Sequence, residues 1–218
     1  MKNVDTIIFD LDGTLLDTLE DLMDAVNVAL ESEGLPLKTL SEIRAIVGNG
    51  IRNLTDRSVP AGSPSAVRDR VFLKFKEYYK DHCKIKTRPY EGIKRMLQSF
   101  AGKGYKMTIV SNKTDPAVQD LLKEHFYPEI ETAYGEREGI PRKPQPDIVN
   151  LAIKELGANK ASCVYVGDSE VDFQTAENAL LKLVMVSWGF RDKSLLKELG
   201  AEKIADSPDE LIKIIDEL

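Results

Sequence analysis

The chain has 218 residues, 42% of them hydrophobic and 30% charged, with a formal net charge of −6. That length buries a real core, in one domain or in a core domain carrying a smaller inserted one, and the composition is that of a globular rather than a disordered or fibrous chain. No basic stripe is present to neutralise phosphates or anionic lipid, which excludes nucleic acid and membrane surfaces as partners, and Cys83 and Cys163, neither with a Cys or His at ligand spacing, make neither a disulfide framework nor a metal site.

In chain order, the first apolar run, Thr6-Ile7-Ile8-Phe9, reads as a strand; it is too short for a signal-peptide core or a membrane span, so a cytoplasmic protein is expected. From Leu19 to about Cys83 the apolar positions repeat at helical spacing, as in Leu22, Val26, Ala29 and Leu30, and later Val71, Phe72, Phe75 and Tyr79. Breaks at Gly34-Leu35-Pro36, Gly48-Asn49-Gly50 and Pro60 to Pro64 divide this stretch into about four helices. After Thr87 to Gly92, strand-type runs at Met107–Val110, Val164–Val166 and Leu183–Val186 alternate with helical patterns over Gly92–Lys103, Pro116–Glu124, Pro146–Leu156, Val171–Ala179 and Pro208–Glu217. Such alternation means crossover connections and a parallel sheet, and runs apolar on both pleat directions suit strands covered by helices on both faces. The expected fold is therefore α/β: a doubly wound parallel sheet formed by residues 1–16 and 86–218, with an α-helical domain inserted at 17–85.

Ligands of open parallel sheets bind at the carboxyl ends of the strands. Four segments fall there: Asp10-Leu11-Asp12-Gly13-Thr14 after the first strand, Ser111-Asn112-Lys113 at the end of the second, the loop Arg142-Lys143-Pro144-Gln145-Pro146, and Gly167-Asp168-Ser169-Glu170-Val171-Asp172. Each alone could be a turn, a helix cap or a solvated charge. Their joint occurrence at strand ends is what those readings do not produce. Clustered carboxylates repel one another and are costly to desolvate, so a site holding Asp10, Asp12, Asp168 and Asp172 needs a cation, and hard oxygen ligands select Mg2+. With the charge neutralised, one aspartate of the first segment can attack phosphorus while the other works as general acid and base. A hydroxyl and a lysine can then hold the phosphoryl oxygens.

These four segments, in this order and with a helical insertion between the first and second, resemble the four motifs of the haloacid dehalogenase superfamily of phosphotransferases. The resemblance covers the whole core. It implies that Asp10 is the nucleophile and a metal ligand, that Asp12 is the general acid and base and offers its backbone carbonyl to the metal, and that Asp168 and Asp172 complete the metal site. Ser111 and Lys143 would hold the phosphoryl group, with Gly13, Thr14 and Asn112 as further substrate-binding positions. Leu15-Leu16-Asp17-Thr18, Ser111-Asn112-Lys113 and Gly167 to Asp172 look most like phosphoglycolate-phosphatase-type members. The implied activity is Mg2+-dependent hydrolysis of a small phosphorylated metabolite through a phospho-aspartate, by a monomer or homodimer. The alternatives are a phosphomutase of the β-phosphoglucomutase type, which shares the motifs but passes the phosphoryl group to a bound sugar, and a binding protein that keeps the fold without turnover.

An inserted bundle next to the catalytic loop can act as a lid, and its loop Val47-Gly48-Asn49-Gly50-Ile51-Arg52 is the best candidate to reach a substrate. Asn49 offers donors and an acceptor there, and Arg52 at a helix start could hold a carboxylate or second anion bidentately. His82 and His125 are assigned packing or surface roles, while Trp188 and Phe190, around Gly189 after a strand, could border the active site or simply pack and are assigned no role.

Overall fold

The structure is a computed structural model and describes residues 3–218. The chain divides into two compact units, one formed by the chain up to Leu15 together with Pro89–Leu218, the other by Leu16–Arg88.

The first unit is built on a six-stranded sheet. Its strands are β1 (Thr6–Phe9), β4 (Lys106–Thr114), β5 (Thr132–Glu136), β6 (Cys163–Gly167), β7 (Lys182–Val186) and β8 (Ile204–Ala205), in the spatial order β5-β4-β1-β6-β7-β8. Every pairing is parallel, with β1 central: Phe9 lies beside Ile109 on one side and Val166 on the other. The crossovers carry α5 (Ile93–Gly102), α6 (Asp115–His125), α7 (Asp147–Glu155), α8 (Glu170–Asn178) and α9 (Lys193–Glu198), and α10 (Pro208–Asp216) follows the last strand.

Alternate strand residues serve opposite faces. Phe9 packs against Phe100 of α5, ring centroids 6.4 Å apart. Its neighbour Ile8 joins Val110, Tyr134 and Tyr165 against Ile148, Val149 and Ala152 of α7. Helix α5 buries Ile93, Met96, Leu97 and Phe100 at the i, i+3, i+4, i+7 spacing of one face. Each such large side chain removed from water stabilises the fold by about 1.5–3 kcal/mol.

The sheet differs from the sequence reading in three places. Strand β5, Thr-Ala-Tyr-Gly-Glu, was not expected, because Ala and Gly are poor strand formers and tertiary pairing with β4 decides its conformation. Strand β8 has only two residues and no legible period. Strand β4 does not stop at Val110 but continues to Thr114, its register with β5 shifting between Val110 and Thr114, so Ser111, Asn112 and Lys113 are strand residues.

In the second unit α1 (Leu19–Glu31), α2 (Leu40–Ile46), α3 (Gly50–Ser58) and α4 (Ser65–His82) form a helical bundle. Helix α1 buries Leu19, Leu22, Ala25, Val26, Ala29 and Leu30, and α4 buries Val71, Phe75 and Tyr79. Short strands β2 (Leu16–Asp17) and β3 (Arg88–Pro89) pair where the chain passes between the units. The returning backbone is fixed by buried Asp21 of α1, whose carboxylate accepts from the backbone N–H of Lys86 at 3.0 Å and of Thr87 at 2.8 Å. Among the described residues, no helix is long and apolar enough to cross a membrane.

Candidate active site

Because β1 lies between β4 and β6, the residues at the carboxyl ends of these three strands converge at one end of the sheet. The Asp10 N–H donates to Val166 O at 2.8 Å, carrying the β1–β6 pairing one residue past the strand. The next residues fold into a tight turn, with the N–H of Leu15 donating to Leu11 O at 3.0 Å. Lys143 arrives from the loop between β5 and α7, its carbonyl accepting from Asn112 Nδ2 at 3.1 Å, while the Pro144 carbonyl accepts from Asn178 Nδ2 at 2.9 Å.

Four charged side chains meet in the interior: Asp10, Asp168, Asp172 and Lys143 are all buried. Lys143 Nζ donates to Asp10 Oδ1 at 2.7 Å, to Asp172 Oδ1 at 2.8 Å and to the Tyr165 hydroxyl at 2.9 Å. Tyr165 in turn donates to Asp172 Oδ1 at 3.1 Å. The other oxygen of Asp172 accepts from the N–H groups of Asp168 and Ser169 and from Ser169 Oγ, at 3.2, 3.1 and 2.7 Å. Asp168 accepts from Thr14 Oγ1 at 3.2 Å and from the Phe190 N–H at 2.7 Å.

These environments separate the carboxylates electrostatically. Burial, then repulsion from Asp172, pushes Asp10 up to about 7, against the pull of Lys143. Burial and both acidic neighbours hold Asp168 well above the usual carboxylate range. Asp172 is buried as well, yet the Lys143 ammonium and the hydrogen bonds from Lys143, Ser169 and Tyr165 bring it below that range. Burial alone would lower Lys143; Asp10 and Asp172 raise it instead. Lys143 thus pairs with Asp172, while Asp10 and Asp168 favour their protonated forms until a further cation compensates their charge. Ligand oxygens of Asp10, Asp168 and Asp172 lie within 4.8 Å of one another. An all-oxygen cluster that lacks counter-charge fits a hard divalent cation.

Asp12 stands beside this cluster. Its Oδ1 accepts from Lys113 Nζ at 3.0 Å. Ser111 is buried, and its Oγ accepts from the Lys113 N–H at 3.1 Å. Gly13 has φ +94°, where a side chain is strained, and an added Cβ would sit 2.7 Å from Asp168 Cγ. The structure therefore gives Gly13 and Thr14 a contact the sequence reading did not anticipate: both adjoin the Asp168 carboxylate. Asn112 likewise uses its amide to hold the Lys143 loop.

Tyr165 and Arg191 were missed, and Trp188 and Phe190 were given no role. Trp188 Nε1 donates to Thr14 O at 3.0 Å, a Cβ on Gly189 would lie 2.5 Å from Asp168 Oδ2, and Arg191 grips Glu170 through Nε at 2.6 Å and Nη2 at 2.9 Å. A bulky-Gly-bulky triplet directly after a strand was the signal available. The Phe190 donor is backbone and leaves no trace in the sequence.

Asn49 and Arg52 belong to the helical unit. Asn49 is the N-cap of α3, between Gly48 and Gly50, both at positive φ. Arg52 was expected to have its fork available for an anion. Instead Nε donates to Asp56 Oδ2 at 3.0 Å and Nη1 to Asp69 Oδ1 at 2.7 Å, and the guanidinium stands 5.0 Å from the Phe72 ring centroid. The acids one turn along α3 and on α4 were not weighed.

A family model described as haloacid dehalogenase-like hydrolase matches residues 7–186. The chain is 32% identical over 195 residues to a phosphoglycolate phosphatase of Mesorhizobium japonicum, covering 86% of this chain and 84% of that one. It is 27% identical over 212 residues to an N-acetylmuramic acid 6-phosphate phosphatase of Pseudomonas aeruginosa, covering 96% and 94%. A crystal structure of a protein from Lactobacillus delbrueckii subsp. bulgaricus, provisionally assigned as a phosphoglycolate phosphatase, superposes with a TM-score of 0.93 at 38% identity over 99% of both chains. The chain belongs to the haloacid dehalogenase-like hydrolase family and is a phosphatase of that family.

Proposed function

We propose that the protein hydrolyses a small phosphate monoester of the phosphoglycolate or sugar-phosphate kind, with Mg2+ and through a phospho-aspartate on Asp10. The observation that carries this reading is the buried group of Asp10, Asp168 and Asp172 closed by Lys143, with Asp12 two residues from Asp10. The relatives support the substrate class, since those named above act on phosphoglycolate and on N-acetylmuramic acid 6-phosphate.

Asp10, Asp168 and the backbone carbonyl of Asp12 would hold the ion, with Asp172, whose oxygens already accept five hydrogen bonds, contributing its charge. When bound, the ion neutralises the carboxylates and the phosphate dianion and so permits an anion to attack an anion. An Asp10 carboxylate oxygen forms a bond to phosphorus as the ester P–O bond breaks, and Asp12 gives a proton to the departing oxygen. Asp12 then takes a proton from water as that water attacks the phosphorus of the acyl phosphate, releasing phosphate and restoring Asp10. Lys143 and Ser111 hold the phosphoryl oxygens through both steps.

A screen of phosphorylated metabolites with magnesium, scored for released phosphate, tests the reading. Asp10→Asn should abolish an acid-stable phosphoenzyme detected by mass spectrometry. Full turnover in excess chelator, a phosphoenzyme on the Asp10→Asn protein, or isomerisation of a glucose phosphate without release would each contradict it.

A further inference from the structure

We propose that Lys113 reads the carboxylate of the substrate, and that the substrate class is accordingly the 2-phosphoryloxy carboxylates, in which one carbon separates the ester oxygen from the carboxyl group. This inference rests on the phosphatase reading above and deepens it. Lys113 is a strand residue of β4, two positions past Ser111, and its ammonium is 3.0 Å from Asp12 Oδ1. Its side chain is only 5% exposed, so its charge is weakly screened and strongly favours an anion beside it. The chemistry above gives the phosphoryl oxygens to Lys143 and Ser111 and leaves this second buried ammonium unassigned.

Asp12 must touch the ester oxygen that leaves. An anion within hydrogen-bonding range of Lys113 is therefore a neighbour of that oxygen, an arrangement that O–CH2–COO− can adopt. Taking the substrate carboxylate onto Lys113 also releases Asp12 from its ion pair, freeing it to turn to the leaving oxygen. A substrate lacking the carboxylate leaves Asp12 held. Arg52, the anion reader expected from the sequence, is engaged by Asp56 and Asp69, whereas Lys113 already stands against the catalytic loop.

The test compares 2-phosphoglycolate with ethyl phosphate, which has the same ester oxygen and no carboxylate, on the magnesium-loaded wild type, Lys113→Met and Lys113→Arg. The wild type should favour 2-phosphoglycolate by about tenfold or more in kcat/KM, the scale of a charge-assisted contact. In Lys113→Met that ratio should fall to about one, mainly through KM, and Lys113→Arg should keep part of it. Should the methionine variant fail to fold, Lys113→Gln gives the same comparison. A wild type that does not discriminate, or a Lys113→Met protein that keeps the full preference, overturns the assignment. Calorimetric binding of the two esters distinguishes the two levels of the argument. Absence of phosphate release from any ester would defeat the phosphatase reading, whereas a binding preference for 2-phosphoglycolate that survives Lys113→Met defeats the role of Lys113 alone.

Discussion

Gly13 and Asp168 meet without room for a side chain between them: a Cβ on Gly13, whose φ is +94°, would stand 2.7 Å from Asp168 Cγ. The glycine lets the catalytic loop close onto a carboxylate carried by a different strand. Gly13→Ala should cost about 1–3 kcal/mol from backbone strain alone. Because Asp168 must also move, the magnesium concentration for half-maximal activity should rise by about tenfold or more. Gly104 is the control, since it shares a positive φ of +77° but has open space around it. Gly104→Ala should cost stability and leave the magnesium requirement alone. Equal magnesium requirements for wild type and Gly13→Ala would show that this contact does not shape the metal site.

Tyr165 accepts from Lys143 at 2.9 Å and donates to Asp172 at 3.1 Å, so its hydroxyl fixes both members of the ion pair. Tyr165→Phe removes that oxygen and leaves a buried ammonium short of one acceptor, at a cost of about 1–3 kcal/mol. The lysine would also lose part of its orientation toward Asp10. Phosphoenzyme formation, followed by rapid quench, should slow by roughly tenfold. A variant that loses stability but forms the phosphoenzyme at the wild-type rate would restrict Tyr165 to a packing role.

The four carboxylate and lysine segments were legible because each follows a strong strand or precedes a helix, and strand ends are where a parallel sheet gathers its ligands. The residues that orient them were not. Tyr165 reads as one more apolar residue of β6, and only the register with Ile8 shows that it shares a face with the Lys143 loop. Lys113 was placed at the end of the second strand, past the apolar run that stops at Val110, and the bulged pairing with β5 keeps it within the strand. Strand β5 was invisible since Ala133 and Gly135 carry no strand preference, and the Gly135 N–H is satisfied by Asp115 at 2.9 Å, a partner twenty residues earlier.

Burial, then repulsion from Asp172, pushes Asp10 up to about 7 in the folded protein, from its ordinary 3.8. The folded state thus holds a proton that the unfolded state releases, so this group's contribution to stability falls as pH rises from about 4 to about 7 and is level above that. Asp168 is raised and acts with the same sign. Asp172, lowered by Lys143 and its hydrogen bonds, acts oppositely: its contribution is present above the ordinary value and is lost only as pH falls below it. As the proposed ligands of magnesium, Asp10 and Asp168 would have to be ionised to hold it. The rise in Tm on adding magnesium should therefore be larger at pH 8 than at pH 5.5. In the metal-free protein, Asp10→Asn should flatten the decline in Tm between those values, a change on the order of a few kcal/mol. An equal magnesium effect at both pH values would mean that these carboxylates are not its ligands.

Arg52 provides the last prediction. Its guanidinium joins Asp56 on its own helix to Asp69 on α4 and lies over Phe72, so it ties α3 to α4 within the helical unit. Both partners are partly exposed, and such pairs contribute little individually because solvent screens them and long side chains lose entropy in forming them. To read a carboxylate, Arg52 would have to leave two it already holds. Arg52→Ala should accordingly lower kcat/KM for 2-phosphoglycolate and for ethyl phosphate in the same proportion, by about fivefold or less, with a small drop in Tm. The Arg52→Ala, Asp69→Asn double variant should be little worse than either single one if the pair acts as a unit. A selective loss of 2-phosphoglycolate hydrolysis by about tenfold, with ethyl phosphate spared, would return the carboxylate-reading role to the helical unit and remove it from Lys113.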